Sequence, residues 1–176
     1  MTEPHAQAGL GRLLQIDQEL SASLEVAPGP LKWLALVLAH SGDSPLWLTG
    51  GIVATLWGGP AGQLYGTRAI VATLVAGITA SLLKLVFRRA RPAPSFAALY
   101  LDRIDRHAFP SAHATRAGCV VVTLAPILPA WGVPGMATWA ILVCLARVVL
   151  QVHYILDVSA GLLLGSLIGL VLLALL

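Results

Sequence analysis

Apolar residues along this chain come in blocks rather than alternating with polar ones. The blocks cover residues 31–39, 46–58, 69–87, 112–131, 136–152 and 158–176. Uninterrupted apolar stretches of this kind indicate helices, and those approaching 20 residues are long enough to cross a bilayer. The last four qualify as spans, whereas the first two are short. Polar Ser41-Gly42-Asp43-Ser44-Pro45 separates the short runs, Gly58-Gly59-Pro60 breaks the second, and a Gly/Pro turn at 132–135 reverses the chain. Ahead of them, Leu10, Leu13, Leu14, Leu20 and Leu24 recur near helical spacing, with Arg12, Gln15 and Glu19 elsewhere. Glu3, Asp17, Glu19 and Glu25 argue against a signal peptide. The pattern suits an amphipathic helix, lying in the membrane interface or packed on the bundle, and ended by Pro28-Gly29-Pro30. The expected fold is all-α: an amphipathic segment over 1–29, then a multi-pass membrane bundle of about six helices over 30–176.

Composition agrees. Of the 176 residues, 57% are hydrophobic and 11% charged, against about 25% charged in an average soluble domain. The formal net charge of +3 suits an anionic surface but is too small to argue for nucleic acid, so the partner expected is the lipid bilayer. Cys119 and Cys144 lie inside apolar runs, outside any metal-ligand spacing, and read as buried small hydrophobes.

Counting spans places the remaining polar residues. The 69–87 helix ends near Lys84 at the face carrying the polar stretch 88–110. The next helix leaves that face at Ser111 and His113, the one after returns to it at Arg147 to His153, and the last leaves it at Asp157. Ionisable groups at membrane depth cost about 2.5–3.5 kcal/mol each on insertion scales, which makes function their default explanation. Lys84 and Arg91 are seven apart, nearly one helical face, with Arg88 on the same stripe and Pro92 ending the helix. Pro110-Ser111-Ala112-His113 opens a helix whose first N–H groups and Ser111 hydroxyl suit an anion. His153 and Asp157 are four apart, so the carboxylate can fix the imidazole tautomer. Arg147 precedes His153 by about 240° of regular helix and would not share its face without a bend. Three cations, a helix N-terminus, one oriented histidine and one unoriented histidine make a site for a tetrahedral dianion. No carboxylate cluster is available to hold a metal, which points to phosphoryl transfer without cofactor or metal.

These residues resemble the signature motifs of the type 2 phosphatidic acid phosphatase superfamily. Lys84 with Arg91-Pro92, Pro110-Ser111-Ala112-His113, and Arg147 with His153 and Asp157 match in order and spacing over about 84–157. Two positions depart from the family pattern: Ala112 stands where Gly is usual, and Ala146 where Ser precedes the arginine. The resemblance implies a metal-independent membrane lipid phosphatase working through a phosphohistidine. Lys84, Arg91, Ser111, Ala112 and Arg147 would bind phosphoryl oxygens, His153 attack phosphorus, Asp157 orient it, and His113 protonate the leaving oxygen. Arg88, Arg103 and Arg106 are candidate substrate contacts in the loop that shapes headgroup access.

The expected substrate is a membrane lipid phosphate or diphosphate: phosphatidate, phosphatidylglycerol phosphate, a polyprenyl diphosphate or a lipid A phosphate. The expected location is a cell membrane, with multiple spans. A channel, transporter or assembly subunit using the charges structurally is the alternative. The apolar composition opposes a soluble vanadate-binding haloperoxidase, and an intramembrane serine protease built on Ser111 would leave the cations unexplained.

Overall fold

A computed structural model describes residues 3–92 and 107–175. Among the described residues the chain forms seven α-helices: α1 (Glu3–Ser23), α2 (Pro30–Ser41), α3 (Ser44–Trp57), α4 (Gly59–Phe87), α5 (Ala112–Leu124), α6 (Gly132–Val149) and α7 (Ile155–Leu175). Three of them, α4, α6 and α7, are long and apolar enough to cross a membrane.

Two elements differ from the sequence expectation. Helix α4 starts at Gly59 rather than near 69, and its 29 residues span about 44 Å at 1.5 Å per residue. The chain needs only a Gly58-Gly59 break before it, with Gly59 at φ 61°. Helix α5 stops at Leu124 instead of continuing to 131. Pro126 falls in a 3₁₀ turn (Ala125–Ile127), and Pro129 follows, since neither can donate to a continuing helix.

The packing is small inside and large outside. The buried stripe of α4 is Ala69, Ala72, Thr73, Ala76, Ala80 and Lys84, while Leu74, Ile78, Leu82 and Leu85 face outward. Helix α7 buries Gly161, Gly165 and Gly169 and exposes Leu163, Leu167 and Leu170. Lipid solvates apolar side chains as well as a protein core does, so small residues win the helix contacts and backbones approach closely. Helix α5 sits in the middle, packed on α4, α6 and most extensively α7. It is buried nearly all round, Arg116 included.

Helix α1 turns its polar face inward. Asp17 and Ser21 are buried against the start of α7: Asp17 Oδ1 accepts from Leu156 N–H at 3.0 Å, and Ser21 Oγ from Ile155 N–H at 3.0 Å. Leu10, Leu13, Leu20 and Leu24 are exposed. The segment is thus docked on the bundle by its polar face, with its leucines exposed.

Candidate active site

The site is assembled where α4 and α6 end and α5 and α7 begin. Helix α4 stops because Arg88 adopts a left-handed conformation (φ 45°), with its N–H bonded to Lys84 O and its Nε to Leu85 O. Arg88 is exposed and caps the helix. The helix thus ends before Arg91, which does not continue the Lys84 stripe as expected. Instead Arg91 lies on non-helical chain beyond α4 and donates from Nη1 to Val152 O at 3.1 Å. The tie reaches the same place by another route, since Val152 precedes His153.

The bend that Arg147 and His153 need is present. Helix α6 ends at Val149, and Gln151 takes φ 56°. The chain folds back so that Val152 and His153 both donate their N–H groups to Arg147 O at 3.2 Å. Arg147 and His153 are 3% and 1% exposed. Burial holds the His153 imidazole well below its usual pKa, reinforced by the nearby charges of Arg147, Arg91 and Lys84. The ring is therefore neutral, the nucleophilic form. Its Nδ1 lies 3.6 Å from Asp157 Oδ2, longer than a hydrogen bond, so the direct tautomer-fixing bond expected from the spacing is not made.

Asp157 has other partners. Its Oδ1 accepts from Arg89 Nη1 at 2.7 Å and its Oδ2 from Tyr154 N–H at 2.9 Å. Arg89 also donates from Nη2 to Asp17 Oδ2 at 2.6 Å and stacks over the Tyr154 ring at 4.2 Å. One arginine thus ties α1, the end of α4 and the start of α7 behind His153. Breaking a buried pair costs about 3–5 kcal/mol because it strands the partner charge. Arg89→Met is expected to lower turnover by one to two orders of magnitude and to loosen α1, read by phosphate release and by protease cleavage within 3–23.

Ser111 N–H donates to Asp157 O at 3.0 Å, which joins α5 to α7 at this face. The Ser111 hydroxyl is fully buried and has no hydrogen-bond partner among the described residues. Ala112 is half-buried beside it and lines a cavity. Ala146, at the other departure, packs against Ala35 and Ala39 of α2.

His113 is oriented after all. Its Nε2 lies 2.6 Å from Asp43 Oδ1, and Asp43 Oδ2 is 2.8 Å from His40 Nδ1. Burial pushes the Asp43 carboxyl up, but its hydrogen bonds with His113 and His40 outweigh that and hold it down at about 2. Asp43 therefore stays anionic at neutral pH. Sequence reasoning treated the 41–45 stretch only as a break between runs. Asp43→Asn is expected to cut activity about tenfold or more by loosening the His113 ring, with folding unchanged by circular dichroism. Arg103 and Arg106 lie outside the described residues.

Comparison with known proteins decides the family. Residues 65–176 match the family described as PAP2 superfamily. The chain belongs to the PAP2 superfamily. It is 34% identical over 146 residues to a decaprenylphosphoryl-5-phosphoribose phosphatase of Mycolicibacterium smegmatis, covering 81% of this chain and 77% of that one. It is 31% identical over 177 residues to a lipid A 1-phosphatase of Rhizobium johnstonii, covering 88% and 70%. Its fold resembles the transmembrane PAP2-type phosphatidylglycerolphosphate phosphatase of Bacillus subtilis, with TM-score 0.70 at 24% identity over 91% of this chain and 84% of that one. Aquifex aeolicus LpxE gives TM-score 0.68 at 22% identity over 87% and 92%. As a PAP2 protein the chain is a helical membrane bundle, with Lys84, Ser111 and Arg147 near the ends of α4, α5 and α6 and Arg91 and His153 on the non-helical segments beside them.

Proposed function

We propose that this membrane lipid phosphatase removes a terminal phosphate from a membrane lipid by attack of His153 on phosphorus. The observation that carries the reading is the convergence of Lys84, Arg91 and Arg147 on a buried, neutral His153, beside a buried Ser111 hydroxyl that has no hydrogen-bond partner among the described residues. Lys84, Arg91, Arg147 and the Ser111 hydroxyl hold the phosphoryl oxygens. The lone pair of His153 forms the N–P bond as the P–O bond to the lipid breaks, and His113 supplies the proton to the leaving oxygen. Water then attacks the phosphohistidine, with His113 taking its proton. Fixed cations aimed at the developing charge supply most of the acceleration. Asp157, held by Arg89, sets the position of the His153 segment.

The relatives act, by their names, on decaprenylphosphoryl-5-phosphoribose and on the 1-phosphate of lipid A, so the headgroup class is a phosphomonoester on a large lipid. The site lies in a cell membrane, where exposed leucines of α4, α7 and α1 meet lipid. A phosphate-release panel on the reconstituted protein tests this with phosphatidate, phosphatidylglycerol phosphate, a polyprenyl diphosphate and lipid A. At least one lipid is expected to be hydrolysed, at undiminished rate in excess EDTA. Absence of release from every lipid, with ion flux instead, would support the transporter alternative.

A further inference from the structure

The segment that carries the nucleophile is tied on both flanks to α1. The first N–H groups of a helix lack partners inside it, and one is ordinarily met by a short polar side chain at the residue before the helix. At the start of α7 that residue is Tyr154, which has no such side chain. The acceptors come from α1 instead: Ser21 Oγ takes the Ile155 N–H and Asp17 Oδ1 the Leu156 N–H, each at 3.0 Å. On the other flank of His153, Gln151 Nε2 donates to Ser21 O at 2.7 Å, and Val26 N–H to Val149 O at 3.2 Å. Asp17 also accepts from Arg89, the partner of Asp157. Helix α1 thus caps α7 from outside and fixes both ends of the bend that holds His153.

Apolar packing on the bundle does not hold α1 in turn. Among its described residues only Asp17 and Ser21 are buried. At about 100° per residue, Leu10, Leu13, Ile16 and Leu20 fall in one sector of about 120° that adjoins the line of Asp17 and Ser21, with Arg12, Gln15 and Glu19 opposite. All four apolar residues are exposed. Leu24, just past the helix, carries this face into a groove with Ile141 and Leu145 of α6 and Ile155 of α7. Ile141 and Leu145 are themselves exposed, on a helix long and apolar enough to cross a membrane. The apolar face of α1 is therefore continuous with the surface that meets acyl chains. A lone helix of this length is marginal in water, and a few polar ties add little, so the face needs an apolar cover. Glu3, Asp17 and Glu19 outnumber Arg12 on α1, so that cover is reached by leucine insertion at the bilayer surface and does not need anionic headgroups.

We propose, resting on the phosphatase reading, that α1 is a lipid-held clamp on the nucleophile: its leucine face inserts in the bilayer surface, while Asp17 and Ser21 act as positioning residues that hold the bend carrying His153. Two readouts test the halves separately, both on full-length protein in phosphatidylcholine vesicles. Cys119 and Cys144 are buried, so a single introduced cysteine takes a fluorescent label. The label at Leu20→Cys is expected to be quenched by doxyl groups on the lipid chains, and the label at Gln15→Cys by aqueous iodide. A Leu20→Cys label open to iodide, or shielded from both quenchers by a second copy of the chain, overturns the lipid-bound face. The second readout is turnover of whichever lipid of the panel the wild-type protein hydrolyses fastest. Ser21→Ala should lower kcat about 3- to 30-fold, the scale of a lost helix cap passed to a misplaced nucleophile. KM should stay within about twofold, because the phosphate-binding cations are untouched. Ser21→Thr, which keeps the hydroxyl, should restore most of kcat. Leu13→Gln, Leu20→Gln and Leu24→Gln together should lower kcat to a similar extent, and adding Ser21→Ala should lower it little further, since both act through one contact. Equal changes in KM and kcat for Ser21→Ala, no change in either, or full kcat in the triple variant overturns the clamp. If wild-type protein hydrolyses no lipid of the panel, the phosphatase reading fails and the effect on His153 with it, while quenching still decides the lipid contact.

Discussion

Leucine at Gly165 is expected to prevent the bundle from assembling. A Cβ at that position would overlap the Thr115 carbonyl, whose carbon would stand 2.7 Å away, with Cys119 N at 3.0 Å. The obstruction is helix backbone, which cannot swing aside as a side chain does. Overpacking a core costs about 1–3 kcal/mol and more where nothing can yield, a large share of the roughly 5–15 kcal/mol that holds an ordinary domain. The contact also matters to the site. At Gly161, one turn nearer the site on α7, a Cβ would meet Ser111 O at 2.7 Å, and the Ser111–Asp157 backbone bond forms across that same seam. Gly165→Leu should therefore lower purified yield and detergent thermal stability sharply. Leu167→Ala, on the exposed face, should change both little. Comparable behaviour of the two variants would mean that α5 and α7 do not pack as described.

The second large effect is on chemistry with the fold intact. His153→Ala is expected to reduce phosphate release by about 10⁴-fold or more, the scale on which removing a covalent nucleophile acts. Truncation leaves a small cavity but no stranded charge. Helicity and melting behaviour should stay close to wild type, which separates this loss from that at Gly165. Substrate binding should persist, because Lys84, Arg91, Arg147 and Ser111 remain. Full activity in His153→Ala would remove the nucleophile from the scheme.

The motif residues were legible because their chemistry is local. His153 and Asp157 flank one helix start, and Ser111 with His113 opens another, so spacing along the chain and a count of spans put them on one face. The boundaries of α4 and α5 were less legible. Gly59 and Pro126 can each sit inside or at the edge of an apolar run, and packing decides which. Arg91 was placed on the wrong kind of backbone, since a left-handed Arg88 is not written in any periodicity. Arg89, Asp17, Asp43 and Arg116 were missed for another reason. Each works through a partner far away in sequence: Arg89 joins Asp17 to Asp157, Asp43 reaches His113, and Arg116 reaches Gly42. The available signal was the scarcity of charge itself. In a chain that is 11% charged, every charge flanking an apolar run merits a partner, including a single carboxylate in the turn between α2 and α3.

The claim at the centre of the account is that His153 carries the phosphoryl group. Phosphohistidine survives base and is lost in acid, so an alkaline quench preserves it. Wild-type protein turning over a lipid labelled with ³²P in its terminal phosphate, quenched in base and digested, should yield label on the peptide containing His153. Label on another residue, or none while phosphate is being released, would contradict the account.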